Sequence, residues 1–315
     1  MPIKIPDQLP ALQVLDNENI FVMSEHRAIN QEIRPMEVAI LNLMPNKIET
    51  EVQICRMLSN TPLQINIEFV RINTAESKHT PQEHLDNFYR LFDDIKHKQY
   101  DGLIVTGAPL ALLEYEKVTF WDKICEVFDW AERNVTSTMF SCWAAHAALY
   151  HHYGLNRHLR PKKLSGVYLH SPLDAKEDLT RGFEDYFNVP HSRYGYIDKA
   201  DYLSVPNLTV VAESPTAGVY LAVSKNKQQV YLTGHPEYDA TTLDDEYHRD
   251  LTTSENAIMP ENYYPENDVK QKPMCNWKSH GSLLFTNWLN YYVYQITPYQ
   301  LDANNIQAIH PSHQR

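Results

Sequence analysis

Cys142, His235 and Glu237 are the residues of this 315-residue chain whose types and spacing suit covalent acyl chemistry. A thiol that attacks a carbonyl needs a base to take its proton, a group to orient that base, and donors for the oxyanion. Cys142 stands at a joint. The seven residues before it, Val-Thr-Ser-Thr-Met-Phe-Ser, read as a buried strand, and the Ala-rich stretch from Trp143 to Tyr150 reads as a helix. A helix opening at the sulfur turns unpaired N–H groups and a positive dipole end toward it, which favours a thiolate and makes the Trp143 N–H a donor to an oxyanion. The triplet His235-Pro236-Glu237 supplies base and orienter, since side chains two apart in an extended segment share one side. Either feature alone is commonplace: free cysteines are often inert core residues, and the chain has 15 histidines. The reading rests on their combination.

Those side chains need a frame. Buried strands are expected at 37–43, 64–71, 101–106 and 135–141, alternating with helices at 47–58, 81–96, 119–133 and from 143 onward. This alternation predicts an α/β fold with a doubly wound, mostly parallel, flavodoxin-like sheet. Ligands of such sheets bind beyond the carboxyl ends of the strands, where Lys47, the turn Gly107-Ala108-Pro109-Leu110 and Cys142 all fall. Strands at 164–170, 208–212, 219–223 and 229–233 read as an antiparallel extension. Residues 241–251 read as a helix with Glu246 and Arg249 on one face, where three-residue spacing allows them to pair. Residues 253–276 read as a long irregular loop and 277–294 as a helix whose aromatics serve packing. The expected organisation is an extended N-terminal arm (1–35), a single catalytic domain (36–299) and a frayed polar tail (300–315).

Composition narrows the function classes. A hydrophobic fraction of 43% supports a sizeable core, and no run approaches the ~20 apolar residues of a membrane span. The four cysteines are scattered without metal or disulfide spacing, so no metal is expected and a cytoplasmic location fits. With 40 acidic against 28 basic residues, the net charge of −12 opposes nonspecific attraction to nucleic acid or anionic membrane.

The strings Leu41-Asn42-Leu43-Met44-Pro45-Asn46-Lys47-Ile48-Glu49-Thr50-Glu51, 101–110, Lys163-Leu164-Ser165-Gly166-Val167-Tyr168, Pro190-His191-Ser192-Arg193-Tyr194, 233–239 and 279–294 resemble the homoserine O-acyltransferase family of methionine biosynthesis, on a class I glutamine amidotransferase-like fold. The resemblance implies a two-step reaction: Cys142 takes an acyl group from acyl-CoA as a thioester, and the hydroxyl of L-homoserine, deprotonated by His235, then attacks it. It further implies Glu237 as orienter of His235, Lys163 and Ser192 as substrate-binding residues, and Arg249 as partner of the homoserine carboxylate. Trp143, Leu110, Lys47 and Glu246 complete the candidate oxyanion or supporting groups. The resemblance also implies that acyl-CoA is a co-substrate, that no resident cofactor is needed, and that the chain forms a homodimer.

In that family a glycine after the Gly-Ala-Pro-Leu turn accompanies succinyl donors and a glutamate accompanies acetyl donors; this chain has Ala111. A glutamate there would fill the space of the longer acyl chain and repel its free carboxylate, whereas alanine adds one methyl and no charge. Succinyl-CoA is therefore the expected donor. Acetyl-CoA, and a glutaminase-type amidotransferase using the same Cys142, His235 and Glu237, stand as alternatives.

Overall fold

Alternate residues of the central strands go to opposite faces, and both faces are covered. Val38, Ile40, Ile104 and Met139 join one buried cluster, while Ala39, Leu41, Leu103, Val105 and Phe140 join the other. That is why these segments read as unbroken apolar runs. The computed structural model describes residues 3–6, 8–18, 23–24, 35–72, 79–253 and 257–297.

Twelve strands are described: β1 (Ile3–Ile5), β2 (Met23–Ser24), β3 (Met36–Leu41), β4 (Ile65–Arg71), β5 (Tyr89–Leu91) and β6 (Tyr100–Val105), then β7 (Val135–Ser141), β8 (His158–Pro172), β9 (Phe187–Tyr196), β10 (Leu208–Ser214), β11 (Gly218–Ser224) and β12 (Gln229–Leu232). The main path runs β2-β1-β4-β3-β6-β7-β12-β11-β10-β8-β9, with β5 paired to β4. Pairing is parallel from β2 to β12 and antiparallel from β12 to β9. The expected mixed α/β sheet with an antiparallel extension is thus the one observed. No helix among the described residues is long and apolar enough to cross a membrane.

Several segments depart from expectation or add to it. The described part of the N-terminal arm adds two short strands to the sheet edge and a helix, Pro10–Asn17, whose Ala11 and Leu15 are buried in the core. The helix expected over 81–96 divides into Gln82–Phe88 and Phe92–Ile95 around β5, because the Tyr89 hydroxyl donates to the buried Glu51 carboxylate at 2.6 Å and draws the chain into line with β4. Strand β9 carries Pro190 and Gly195, residues that argue against a strand; it pairs only with β8, and Pro190, which has no N–H to give, accepts at its carbonyl from His235. The described part of 253–276 is irregular, yet Tyr263 and Tyr264 are buried with Val167, Tyr238, Leu243 and Trp277. The tail after Pro298 lies outside the described residues.

Gly166 is what lets that segment dock. Its φ is +146°, and the Val167 and Glu261 N–H groups bond across to Glu261 and Ser165 carbonyls, each at 2.9 Å. A Cβ there would lie 2.6 Å from the Glu261 nitrogen, which is backbone and cannot step aside. Gly166→Ala is expected to cost about 2 to 4 kcal/mol, combining a strained φ with overpacking, read as a lower denaturant midpoint. An unchanged midpoint would show that the segment is loosely held.

Candidate active site

Parallel pairing of β7 with β12 sets Leu232 beside Ser141, so the residues that follow both strands meet at the same end of the sheet. The Cys142 N–H donates to the Leu232 carbonyl at 2.6 Å, and His235 comes three residues after that carbonyl. A separation of nearly a hundred residues along the chain thereby becomes contact. Cys142 itself has φ 51° and ψ −110°, a conformation that an L-residue holds only when its surroundings enforce it, and it caps the helix Trp143–Tyr153. Gly107, beyond the end of β6, gives it room: a Cβ there would stand 3.2 Å from the Cys142 Cβ.

His235 is fixed from three sides. Its N–H donates to the Pro190 carbonyl at 2.8 Å, its ring stacks on Tyr238 at 4.2 Å, and its Nδ1 meets the Glu237 Oε1 at 2.7 Å. The expected geometry of that last pair is corrected: residues 235–238 form a turn closed by the Tyr238 N–H on the His235 carbonyl at 3.2 Å, and are not extended. The short reach from imidazole to carboxylate survives the change.

The electrostatics single out one histidine. Burial alone would depress His235, but the negative charges of Cys142 and Glu237, together with hydrogen bonds to both, hold it well above its ordinary value. Nearby His146 and His191 are buried without such partners and face Arg193, so burial and that positive charge hold both well below the usual imidazole range. Arg193 is buried, with donors on His191 Nδ1 and the Gly195 and Ala217 carbonyls; burial lowers it to about 10 while the Cys142 charge pulls the other way. A buried cation and a raised imidazole therefore share one corner with the Cys142 sulfur.

These groups open into a cavity of about 340 Å3. Its lining includes Leu110, Ala111, Cys142, Trp143, Lys163, Ser192, His235, Glu246 and Arg249, so nearly all the residues singled out from sequence meet in one place. Glu246 is the hub of its far wall, accepting from Ser192, from Tyr238 at 2.9 Å and from Lys163 at 3.2 Å, while Lys163 also pairs with Asp250 at 2.9 Å. Arg249 pairs with its neighbour Asp250 at 2.8 Å and not with Glu246.

Two placements refine the expectation for the oxyanion and supporting groups. Lys47 does not line the cavity: its ammonium is tied to the Asn42 carbonyl at 2.5 Å and the Met44 carbonyl at 3.2 Å, and burial brings it down to about 8 despite Glu51 nearby. It holds the loop whose Met44 and Pro45 form part of the wall. The Leu110 N–H donates to the Ala108 carbonyl at 2.8 Å, so the turn uses that oxyanion donor internally. Glu237 is only half engaged, its Oε2 being buried without a partner. Sequence reasoning also left Tyr238 and Arg193 without roles, because stacking and burial depend on β8, β9 and β12 meeting and leave no periodic mark.

The family model for homoserine O-succinyltransferase matches residues 2–299. A homoserine O-succinyltransferase of Pseudoalteromonas atlantica is 59% identical, over 98% of this chain and 100% of that relative. One from Shewanella oneidensis is 56% identical over 99% of each. Among solved structures, a glutamine amidotransferase of Thermotoga maritima matches 82% of this chain and 98% of its own with a TM-score of 0.51 at 14% identity. Another, from Methylobacillus flagellatus, covers 90% of this chain and 100% of its own at a TM-score of 0.50 and 12% identity. Those structures speak for the fold alone. The sequence matches go further, since they run almost end to end at more than half identity, and on them the chain belongs to the homoserine O-succinyltransferase family.

Proposed function

We propose that this protein transfers a succinyl group from succinyl-CoA to the hydroxyl of L-homoserine, by way of a thioester on Cys142. The observation that carries the mechanism is the relay itself: a thiol on a positive-φ elbow and an imidazole that a carboxylate holds at 2.7 Å, lining one cavity, with the sulfur among the charges that raise the imidazole.

In the first half-reaction the Cys142 thiolate attacks the thioester carbonyl of succinyl-CoA. The oxyanion forms at the start of the helix Trp143–Tyr153, where the Trp143 N–H has no partner within the helix. Collapse breaks the bond to the CoA sulfur, which leaves with the proton from His235. One thioester replaces another, so the step is close to isoenergetic. Neutral His235 then takes the homoserine hydroxyl proton as that oxygen attacks the acyl-enzyme; the Cys142 thiolate departs and the imidazolium is restored beside it. Glu237 stays charged throughout and steadies the imidazolium. Homoserine's carboxylate is assigned to Arg249, while Glu246 holds Lys163 and Ser192 in line along the wall.

The test is direct. Succinyl-CoA added without homoserine should release CoA in a burst and leave one succinyl mass on the peptide bearing Cys142; homoserine should then discharge it. CoA release that requires homoserine from the outset, with no adduct, would overturn the two-step scheme. Acetyl-CoA should serve more slowly, and glutamine should yield no ammonia.

Arg249 is mostly exposed and, among the described residues, spends its side-chain donors on Asp250, so an incoming carboxylate can compete for it. Arg249→Ala is expected to raise the KM for homoserine about 10- to 100-fold, the range for losing a charged hydrogen bond, with little change in the KM for succinyl-CoA. A defect confined to the acyl donor would reassign the residue.

A further inference from the structure

Four cations line the cavity: Arg157, Lys163, Arg193 and Arg249. The succinyl group brings one carboxylate of its own, at the far end of two methylenes from the thioester carbonyl, and some cation must receive it. Two of the four are committed to protein acceptors and a third is assigned elsewhere. Lys163 is held by Glu246 and Asp250, Arg193 donates from all three of its nitrogens to protein acceptors, and Arg249, open to an incoming carboxylate, is the residue assigned above to homoserine.

Arg157 is different. Its Nη2 donates to the Leu113 carbonyl, and its guanidinium lies 4.2 Å over the Tyr115 ring, which fixes its plane. Its Nη1 is buried and, among the described residues, has no acceptor in hydrogen-bonding geometry, which it shares with no other guanidinium or ammonium nitrogen of the four. A buried cationic donor left unpaired is costly, and the cost is removed when a carboxylate arrives.

Its place in the wall fits the acyl tail. Through Leu113 it grips the loop that also carries Ala111, the position expected from sequence to face the acyl chain. Its Cδ approaches Gly195 on β9, where a Cβ would be 3.3 Å from Arg157 and 3.2 Å from the His146 ring. His146 lies one helical turn past Cys142, with its N–H on the Cys142 carbonyl at 3.3 Å. Arg157 thus closes the cavity between the Ala111 loop and the first turn of the nucleophile's helix. Glycine at 195 is what lets the stem of Arg157 pass.

Resting on the acyl-transfer reading above, we infer that Arg157 is the specificity-determining residue that receives the free carboxylate of the succinyl group. Nη1 has almost no accessible surface, so meeting a carboxylate there takes a small turn of the guanidinium about the bond that Nη2 makes to Leu113. The residue touches the substrate's recognition group and takes no part in the proton transfers.

The experiment compares succinyl-CoA with butyryl-CoA, which keeps both methylenes and ends in a methyl, in wild type, Arg157→Gln and Arg157→Lys. For succinyl-CoA, Arg157→Gln should lower kcat/KM about 10- to 100-fold, mainly through KM, and Arg157→Lys should recover much of it. For butyryl-CoA the same variants should change little. Equal loss with both donors, whether from a disturbed loop or from lost contact with the shared CoA phosphates, would overturn the assignment. Failure of wild type to transfer succinyl at all would instead overturn the functional reading, so the two failures are told apart.

Discussion

Cys142→Ala is expected to abolish homoserine-dependent release of CoA, by at least about 10^4-fold, since removal of the nucleophile leaves only binding and oxyanion stabilisation. The acyl adduct should vanish with it. The substitution leaves the elbow's φ of 51° and the Cys142 N–H bond to Leu232 in place, because both belong to the backbone, so the unfolding midpoint should stay close to that of wild type. The other thiols offer no substitute. Burial pushes Cys55 far up, Cys125 up to about 11 and Cys275 up as well, which leaves each a poor nucleophile near neutrality. The variant also reports on the relay. Without the sulfur, His235 loses one of the two negative charges that raise it, and its imidazole signal in an NMR titration should move to lower pH. Residual turnover within tenfold of wild type would remove Cys142 from the mechanism.

What the sequence made legible follows from range. The strand-to-helix joint at Cys142 is written in one consecutive stretch, 135–150, and the parallel core in the apolar runs of β3, β6 and β7. His235 and Glu237 are legible as a pair because the turn that joins them is local. The meeting of the pair with Cys142 follows from β12 lying parallel to β7, a topological fact that no local pattern encodes. The same gap explains β9, where Pro190 and Gly195 look like breakers until their neighbours are known: Pro190 accepts from His235, and Gly195 clears the stem of Arg157. Lys47 shows the reverse error. Its position at a strand's carboxyl end suggested the site, yet two carbonyls hold it in the supporting loop.

The length of β8 was also hidden. Only 164–170 reads as a strand, while the observed element runs from His158 to Pro172 and turns a largely polar stretch into sheet by pairing it with β9. Its partner strand brings Ser192 and Arg193 toward the cavity, so half of the substrate wall depends on a hairpin whose sequence carries breakers. Tertiary pairing outweighs local propensity there because each backbone group left unpaired in a buried wall would cost more than a proline in the strand.

Glu237→Gln is the sharper test of the relay, because the amide oxygen can still accept from the His235 Nδ1–H while the charge is gone. Orientation and electrostatics are thereby separated. We expect kcat to fall about 10^2- to 10^4-fold, the range for losing an orienting carboxylate or an acid–base group. The pH profile should change in a defined direction. The reactive form needs His235 protonated, so the alkaline limb of the profile follows that imidazole. Glu237 raises His235 by charge and by its hydrogen bond, so its neutralisation lowers that limit. The alkaline limb should move to lower pH. Stability follows the same sign. His235 is raised in the folded protein, so its contribution to folding is fully present below its ordinary 6.5 and is lost as pH climbs through the higher folded value. The stability gap between wild type and Glu237→Gln should therefore be widest just below 6.5 and close on the alkaline side. Glu237→Ala should shift the alkaline limb equally and lose more rate, since it forfeits orientation too. If Glu237→Gln leaves the alkaline limb in place, the carboxylate acts through position alone and its charge is not what holds His235 protonated.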